Sequence, residues 1–296
     1  MTGVEGARPD VGLPVWEVVE AAGLVTVQDA GRAGFAHLGV PRAGWLDPAA
    51  ASLTNRLVGN PEGAAVLEVL GGLRVRHRGT GRWIAVAGAR CEVSVSGAVR
   101  GHGLPVWLPD GAELRLGPAL SGARSYLAVA GGIDVALVLG SRSTDTLAWV
   151  GPPRVIDAAV LPLGDACGTP SPVDVVAPDR GGALRVSQGP RVDWFEEGSF
   201  ALLCNEDYVV TTDSNRVGLR LDGSPLVRSR ADELPSEGLV LGAIQVSHDG
   251  LPVVFLADHP TTGGYPVIAV VDPADLGRCA QLRPGDSVRF TELRSV

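Results

Sequence analysis

Apolar residues, many of them β-branched, recur at every second position in short runs along the whole chain. That period puts alternate side chains on one face of a strand. It predicts strands over 15–19, 24–27, 66–69, 83–86, 91–95, 113–116 and 125–130. The second half adds 184–187, 208–212, 218–221, 243–246, 253–256, 267–271 and 287–290. One stretch switches to helical spacing. Asp47 is a capping residue, Pro48 suits the first helical position, residues 49–57 favour helix, Gly59 closes it and Pro61 prevents continuation. Ala50, Leu53 and Leu57 then share a face that packs on a sheet. Asp272-Pro273 begins a shorter copy of the same signal, running towards Cys279.

Many short strands, few helices and closely spaced turns point to an all-β chain of barrels or sandwiches rather than a doubly wound parallel sheet. Gly 40 and Pro 22 among 296 residues supply those turns. Residues 1–12 read as a flexible N-terminal tail, 13–165 as a first half, 166–182 as a linker or long loop rich in Gly, Pro and Asp, and 183–296 as a second half. A faint echo relates the halves: 108–116 and 282–290 are each a tight turn feeding an alternating strand.

A net charge of −8 argues against nucleic acid or an anionic membrane as partner. All 25 basic residues are arginine. Without lysine there is no P-loop, Schiff-base or pyridoxal chemistry, so anions must be met by Arg forks and backbone N–H groups. Cys91, Cys167, Cys204 and Cys279 lie far apart with no CxxC pair, as expected of buried thiols in a reducing, cytoplasmic setting. No basic and apolar leader opens the sequence, and no apolar run is long enough to cross a bilayer.

Three polar, glycine-rich segments beside apolar strands are candidate sites. Segment 27–42 carries Gln28, Asp29, Arg32, His37 and Arg42, so it can present Arg forks to a carboxylate or phosphate. The plainer alternative is an Asp29–Arg32 pair that pins the loop. Segment 257–266 carries Asp258 at a strand end, then His259, Thr261, Thr262, Gly263, Gly264 and Tyr265. Its glycines are expected to form an anion nest, and Asp258 to act as a base or orienting group, with Gln245 and Glu237 on neighbouring elements. A wide hairpin capped by its own Thr and Asp side chains is the alternative. Segment 131–145 offers Arg142, Ser143 and Thr144 for an anion, or a loop that satisfies its own backbone. Asn215-Arg216 is a further Arg anchor, while His77 and His102 read as surface or packing residues. No G-x-S-x-G elbow, H-E-x-x-H or dinucleotide fingerprint is found, and the five histidines lack metal-ligand spacing.

These loops also carry a resemblance. Its blocks are Thr26-Val27-Gln28-Asp29 with Gly31-Arg32, His37-Leu38-Gly39-Val40-Pro41, Asn55-Arg56-Leu57-Val58-Gly59-Asn60-Pro61 and Glu68. Further blocks are Tyr126 to Val135, Leu139 to Thr144, Ser236-Glu237-Gly238, Gly242 to Val246, Ala257-Asp258 and Thr261 to Pro266. From about Leu24 to Phe290 the chain resembles the family variously called KipA, allophanate hydrolase subunit 2, the 5-oxoprolinase C subunit and the carboxyltransferase domain of urea carboxylase.

The resemblance implies two cyclophilin-like β-barrel units in one chain. It implies a partner, a KipI-like B subunit, and a third protein, a LamB-like A subunit. Together these would open 5-oxoproline, a small-molecule amide, to L-glutamate with ATP hydrolysis, ATP being a cofactor of the complex. A biotin-dependent carboxyltransferase of the urea or allophanate type, and a KipA-like regulator binding a KipI-like kinase inhibitor, are the alternatives. On this view Asp258, Gln245 and Glu237 are catalytic. Gln28, Asp29, Arg32, His37, Arg42, Arg142, Ser143, Thr261, Thr262, Gly263, Gly264 and Tyr265 bind substrate, around one shared anion-receptive hollow, and no metal is involved. The chain departs from the pattern at Ala43, where many relatives have Ser, and at His259-Pro260.

Overall fold

The computed structural model describes residues 13–171, 181–230 and 232–293; the expected tail at 1–12 and most of the expected linker, 172–180, lie outside the described residues. The architecture is all-β with a few short helices. The first unit contains β1 (Val15–Gln28), helix α1 (Pro48–Leu57), β2 (Val66–Arg78), β3 (Arg82–Val95), β4 (Ala98–Arg100), β5 (Val106–Leu108), β6 (Glu113–Val129) and β7 (Val160–Pro162). They form a seven-stranded sheet in the order β4-β3-β6-β2-β1-β7, with β5 also on β3.

The paired runs expected at 15–19 and 24–27, at 83–86 and 91–95, and at 113–116 and 125–130 are single long strands, β1, β3 and β6. Each bends midway, where the alternation lapses. β1 and β2 stay paired from Val15↔Arg78 to Gln28↔Val66 through a bulge and a facing glycine pair, Gly23↔Gly71. Both glycines have positive φ, and a Cβ on Gly23 would lie 2.3 Å from Leu70 O. Register shifts in the β2–β6 and β3–β6 pairs continue the bend across the sheet. The curled sheet encloses Trp16, Val25, Leu67, Val75, Ile84, Leu114, Leu127 and Val129. Its other face takes α1, with Ala50, Ala51 and Leu57 packed on Val66, Ala85, Tyr126 and Ala128. Asp47 caps that helix by accepting from Ala50 N–H at 3.1 Å.

The second unit contains β8 (Leu184–Gln188), α2 (Ser199–Asn205), β9 (Asp207–Val210), β10 (Gly218–Asp222), β11 (Glu237–Gly238), β12 (Ala243–Val246), β13 (Pro252–Phe255), β14 (Thr262–Gly263), β15 (Val267–Val271), α3 (Leu276–Cys279) and β16 (Ser287–Glu292). Seven of these strands close a barrel in the order β10-β13-β12-β15-β8-β16-β9, while β11 and β14 pair as a small ribbon. Here the strands are short, and each strand of the barrel matches one expected run. Val186, Leu203, Tyr208, Ile244, Val254, Ile268 and Phe290 fill the interior. Hydrogen bonding closes this unit completely, whereas the first curls round its core and ends at β4 and β7. Leu46, from the loop before α1, inserts into the core of the second unit and so ties the two together. No described helix is long and apolar enough to cross a membrane.

Candidate functional site

Two polar regions emerge, one sealed and one open. The sealed region lies where the units meet. Glu68 on β2 and Tyr126 on β6 stand directly opposite each other in the ladder. Arg216 precedes β10 and Asp258 follows β13; Asp258 N–H donates to Arg216 O at 3.1 Å, which holds the two segments together. The Arg216 guanidinium is fully buried. Its Nε and Nη2 donate to Asp258 at 2.9 and 3.0 Å, its Nη1 to Glu68 at 2.5 Å, and Nη2 also to Gly44 O at 2.7 Å. Glu68 further accepts from Tyr126 Oη at 2.8 Å and faces buried Arg124 at 3.5 Å. Two carboxylates therefore balance two guanidiniums out of water. Burial would lower the affinity of Arg216 for its proton, but Glu68 and Asp258 carry it above the ordinary range. Burial, then Glu68, pushes the Tyr126 hydroxyl well up.

A knot of loops from the first unit continues this region. Asp29 accepts from Ser141 Oγ at 2.5 Å, Ser143 Oγ at 2.6 Å, Arg142 N–H at 2.6 Å and Gly31 N–H at 2.8 Å. Burial pushes the Asp29 carboxyl up, but these four donors outweigh it and hold the group below its usual range. Arg32 is buried and donates to Ser143 O and Val138 O. Gln28 donates to Thr144 O at 2.9 Å, and Thr146 N–H and Oγ1 donate to Asp258 at 2.9 and 2.7 Å. Gly31 is required here, because a Cβ on it would lie 2.7 Å from both Arg42 O and Ala43 O.

This geometry corrects several expectations. The glycine loops do converge, but on a filled knot rather than a hollow. Asp29 is pinned by hydroxyls and amides, not by Arg32. Arg142 is engaged by Asp134 at 2.6 Å and Val135 O at 2.8 Å, so it is no free anion holder. Asp258, expected beside substrate as a base or orienting group, is fully buried with donors on both oxygens, and as placed it ties its loop to Arg216 and Thr146. Of the first loop, His37 and Arg42 are exposed, and His37 Nδ1 lies 3.0 Å from Gly34 O.

The open region lies on the second unit. Glu237 and Gly263 pair in the β11–β14 ribbon. Gln245 on β12 donates to Tyr265 O at 2.7 Å, and a Cβ on Gly263 would lie 2.9 Å from the Gln245 amide nitrogen. Gly263 and Gly264 lack positive φ, so the expected nest is not formed; glycine serves close packing instead. Thr261 O accepts from Leu239 N–H at 2.9 Å, while Thr262, Gly264 and Tyr265 are exposed. Arg191 grips Glu237 through Nε at 3.0 Å and through Nη2. That bond, against slight desolvation, holds the Glu237 carboxyl below its usual range. Arg228 lies over the Tyr265 ring, 5.3 Å from its centroid, and His248 meets the same ring edge-on at 5.1 Å. Arg191, Arg228 and His248 carry no sequence signal beyond their type; the Arg228-Ser229-Arg230 spacing after a turn is the one hint the chain offers. Arg216 and Glu68 are visible in the sequence, but not their meeting.

The comparisons agree with this architecture. Residues 38–292 match the carboxyltransferase domain family, subdomains A and B. The chain is 37% identical over 281 residues to the 5-oxoprolinase C subunit of Escherichia coli (strain K12), covering 93% of this chain and 90% of that one. It is 30% identical to the 5-oxoprolinase C subunit of Haemophilus influenzae, with 93% and 90% covered. The solved urea amidolyase of K. lactis superposes with a TM-score of 0.88 at 30% identity over 95% of this chain, which spans only 19% of that enzyme. By family match, near full-length identity and fold, the chain belongs to the family of carboxyltransferase domains, subdomains A and B, that includes the 5-oxoprolinase C subunits.

Proposed function

We propose that the protein is one component of an ATP-dependent 5-oxoprolinase, which opens the 5-oxoproline lactam to L-glutamate. The observation that carries this is the nearly end-to-end correspondence with a 5-oxoprolinase C subunit at 37% identity. The partners are a KipI-like B subunit and a LamB-like A subunit, and the complex works in the cytoplasm. Opening a lactam builds negative charge on its carbonyl oxygen, and fixed donors that face such charge lower the barrier. The face bearing Tyr265 and the Arg191–Glu237 pair, with buried Gln245 holding the Tyr265 carbonyl behind it, supplies the polar groups of this chain for that task. Asp258 fixes the start of the segment that leads to Tyr265, while Asp29, Arg32, Gln28 and Ser143 hold loops of the first unit to one another.

We place the nucleotide on one of the partners, because this chain has no lysine and so no P-loop lysine to meet its phosphates. Co-purification with both, followed by an assay of ATP-dependent glutamate release from 5-oxoproline, tests the proposal. A complete complex that hydrolyses ATP without releasing glutamate would remove it. The likeness to urea amidolyase supports a second reading, carboxyl transfer from carboxybiotin to urea or another amide. It predicts that carboxybiotin is consumed when the amide is added.

A further inference from the structure

We infer that Arg228 anchors a small monocarboxylate in the cavity beside Tyr265. The cavity measures about 540 Å³ and is walled by Arg228, Ser229, Arg230, Ser247, His248 and Asp249. Its charges decide what it accepts. Arg230 is neutralised by Asp193 at 2.9 Å and lies 5.5 Å from the Trp194 ring centroid. The Asp249 carboxylate is engaged by Ser247 Oγ and by Leu251 N–H at 3.2 Å. Arg228, in contrast, has no carboxylate partner among the described residues. Its Nη2 donates to Val246 O at 2.7 Å, and its plane rests on Tyr265. The guanidinium is thus fixed in advance; its Nε is buried without a partner, and its terminal Nη edge is left for a ligand, the arrangement that suits a planar carboxylate. Arg228 and Arg230 are offset by Asp193 and Asp249, so the surroundings carry no net positive charge to hold a polyphosphate, and a singly charged anion is held by the donor geometry of Arg228.

The cavity adjoins the proposed site through Tyr265, whose carbonyl takes the Gln245 amide. The oxoprolinase proposal therefore supplies the first probe, 5-oxoproline, but the carboxylate anchor stands on the geometry alone. Calorimetric titration of the full chain compares 5-oxoproline with 2-pyrrolidinone, the same lactam without its carboxylate, and with inorganic phosphate and ATP. The expected result is that 2-pyrrolidinone binds at least about tenfold more weakly than 5-oxoproline, and that Arg228→Met weakens 5-oxoproline by about tenfold. Equal affinity for the two lactams, unchanged binding in Arg228→Met, no binding of 5-oxoproline, or tighter binding of phosphate or ATP would each overturn the inference. The lactam comparison uses unaltered protein, so a folding defect in the variant cannot mask the answer. Glutamate release by a complex with Arg228→Met at undiminished kcat/KM would sink the anchor while leaving the oxoprolinase proposal intact. Carboxylate-selective binding without glutamate release would do the reverse.

Discussion

The junction around Arg216 and the cavity around Arg228 use the same residue types to opposite ends. At the junction every charge is matched: Arg216 faces Glu68 and Asp258, Arg124 faces Glu68, and solvent is excluded. At the cavity Arg228 meets a carbonyl and an aromatic face but no described carboxylate, and it stays partly open to water. An arginine whose partners are all internal fixes structure; one that is oriented but has no carboxylate bonded to it is available to a ligand. Polar, glycine-rich sequence flags the loops of the junction, whereas Arg228 carries no sequence signal beyond its type.

The largest effect that separates the regions is on stability. Removing one partner of a buried ion pair leaves the other charge stranded, so Arg216→Met should destabilise the protein by about 3–5 kcal/mol. Denaturant titration reads this, and a loss below about 1 kcal/mol would contradict the junction's role. Asp258→Asn also belongs here. The sequence alone predicts a variant that loses turnover without losing stability; the buried network predicts a loss of both. Next comes Asp29→Asn, which disturbs a carboxylate bound by four donors and should cost about 1–3 kcal/mol.

Because the folded protein holds the Asp29 carboxyl below its usual range, this group stabilises the fold above the ordinary carboxylate pKa. That contribution fades as pH falls below about 4, through the lowered native value. Acid denaturation of Asp29→Asn should therefore be less steep in that interval, and an unchanged slope would exclude the linkage. Arg228→Met should be smaller still in stability, leaving the thermal midpoint within about 2 °C while binding of a carboxylate falls. Smallest is Arg289→Met, which breaks an exposed pair with Asp207 and should leave the midpoint unchanged.

The all-β class, α1 with its Asp47 cap, and every strand of the barrel were legible because period-two alternation and turn residues are local signals. β1, β3 and β6 were each split in two, since alternation lapses at their bends while the hydrogen-bond ladder runs on through bulges and glycines. The short β4, β5, β7, β11 and β14 escaped because two or three residues carry no measurable period. Among the polar loops, the sequence misjudged exposure. Asp258 and Arg32 sit in polar segments that look solvated but are sealed.

By itself, then, the sequence determined fold class, family and the chemistry excluded by a chain without lysine, since composition, local periodicity and shared blocks are properties of the linear chain. Only the tertiary structure decided which arginines are neutralised. That depends on contacts such as Arg216 with Glu68, 148 residues apart, whose electrostatics are set by burial and distance in space rather than by spacing along the chain.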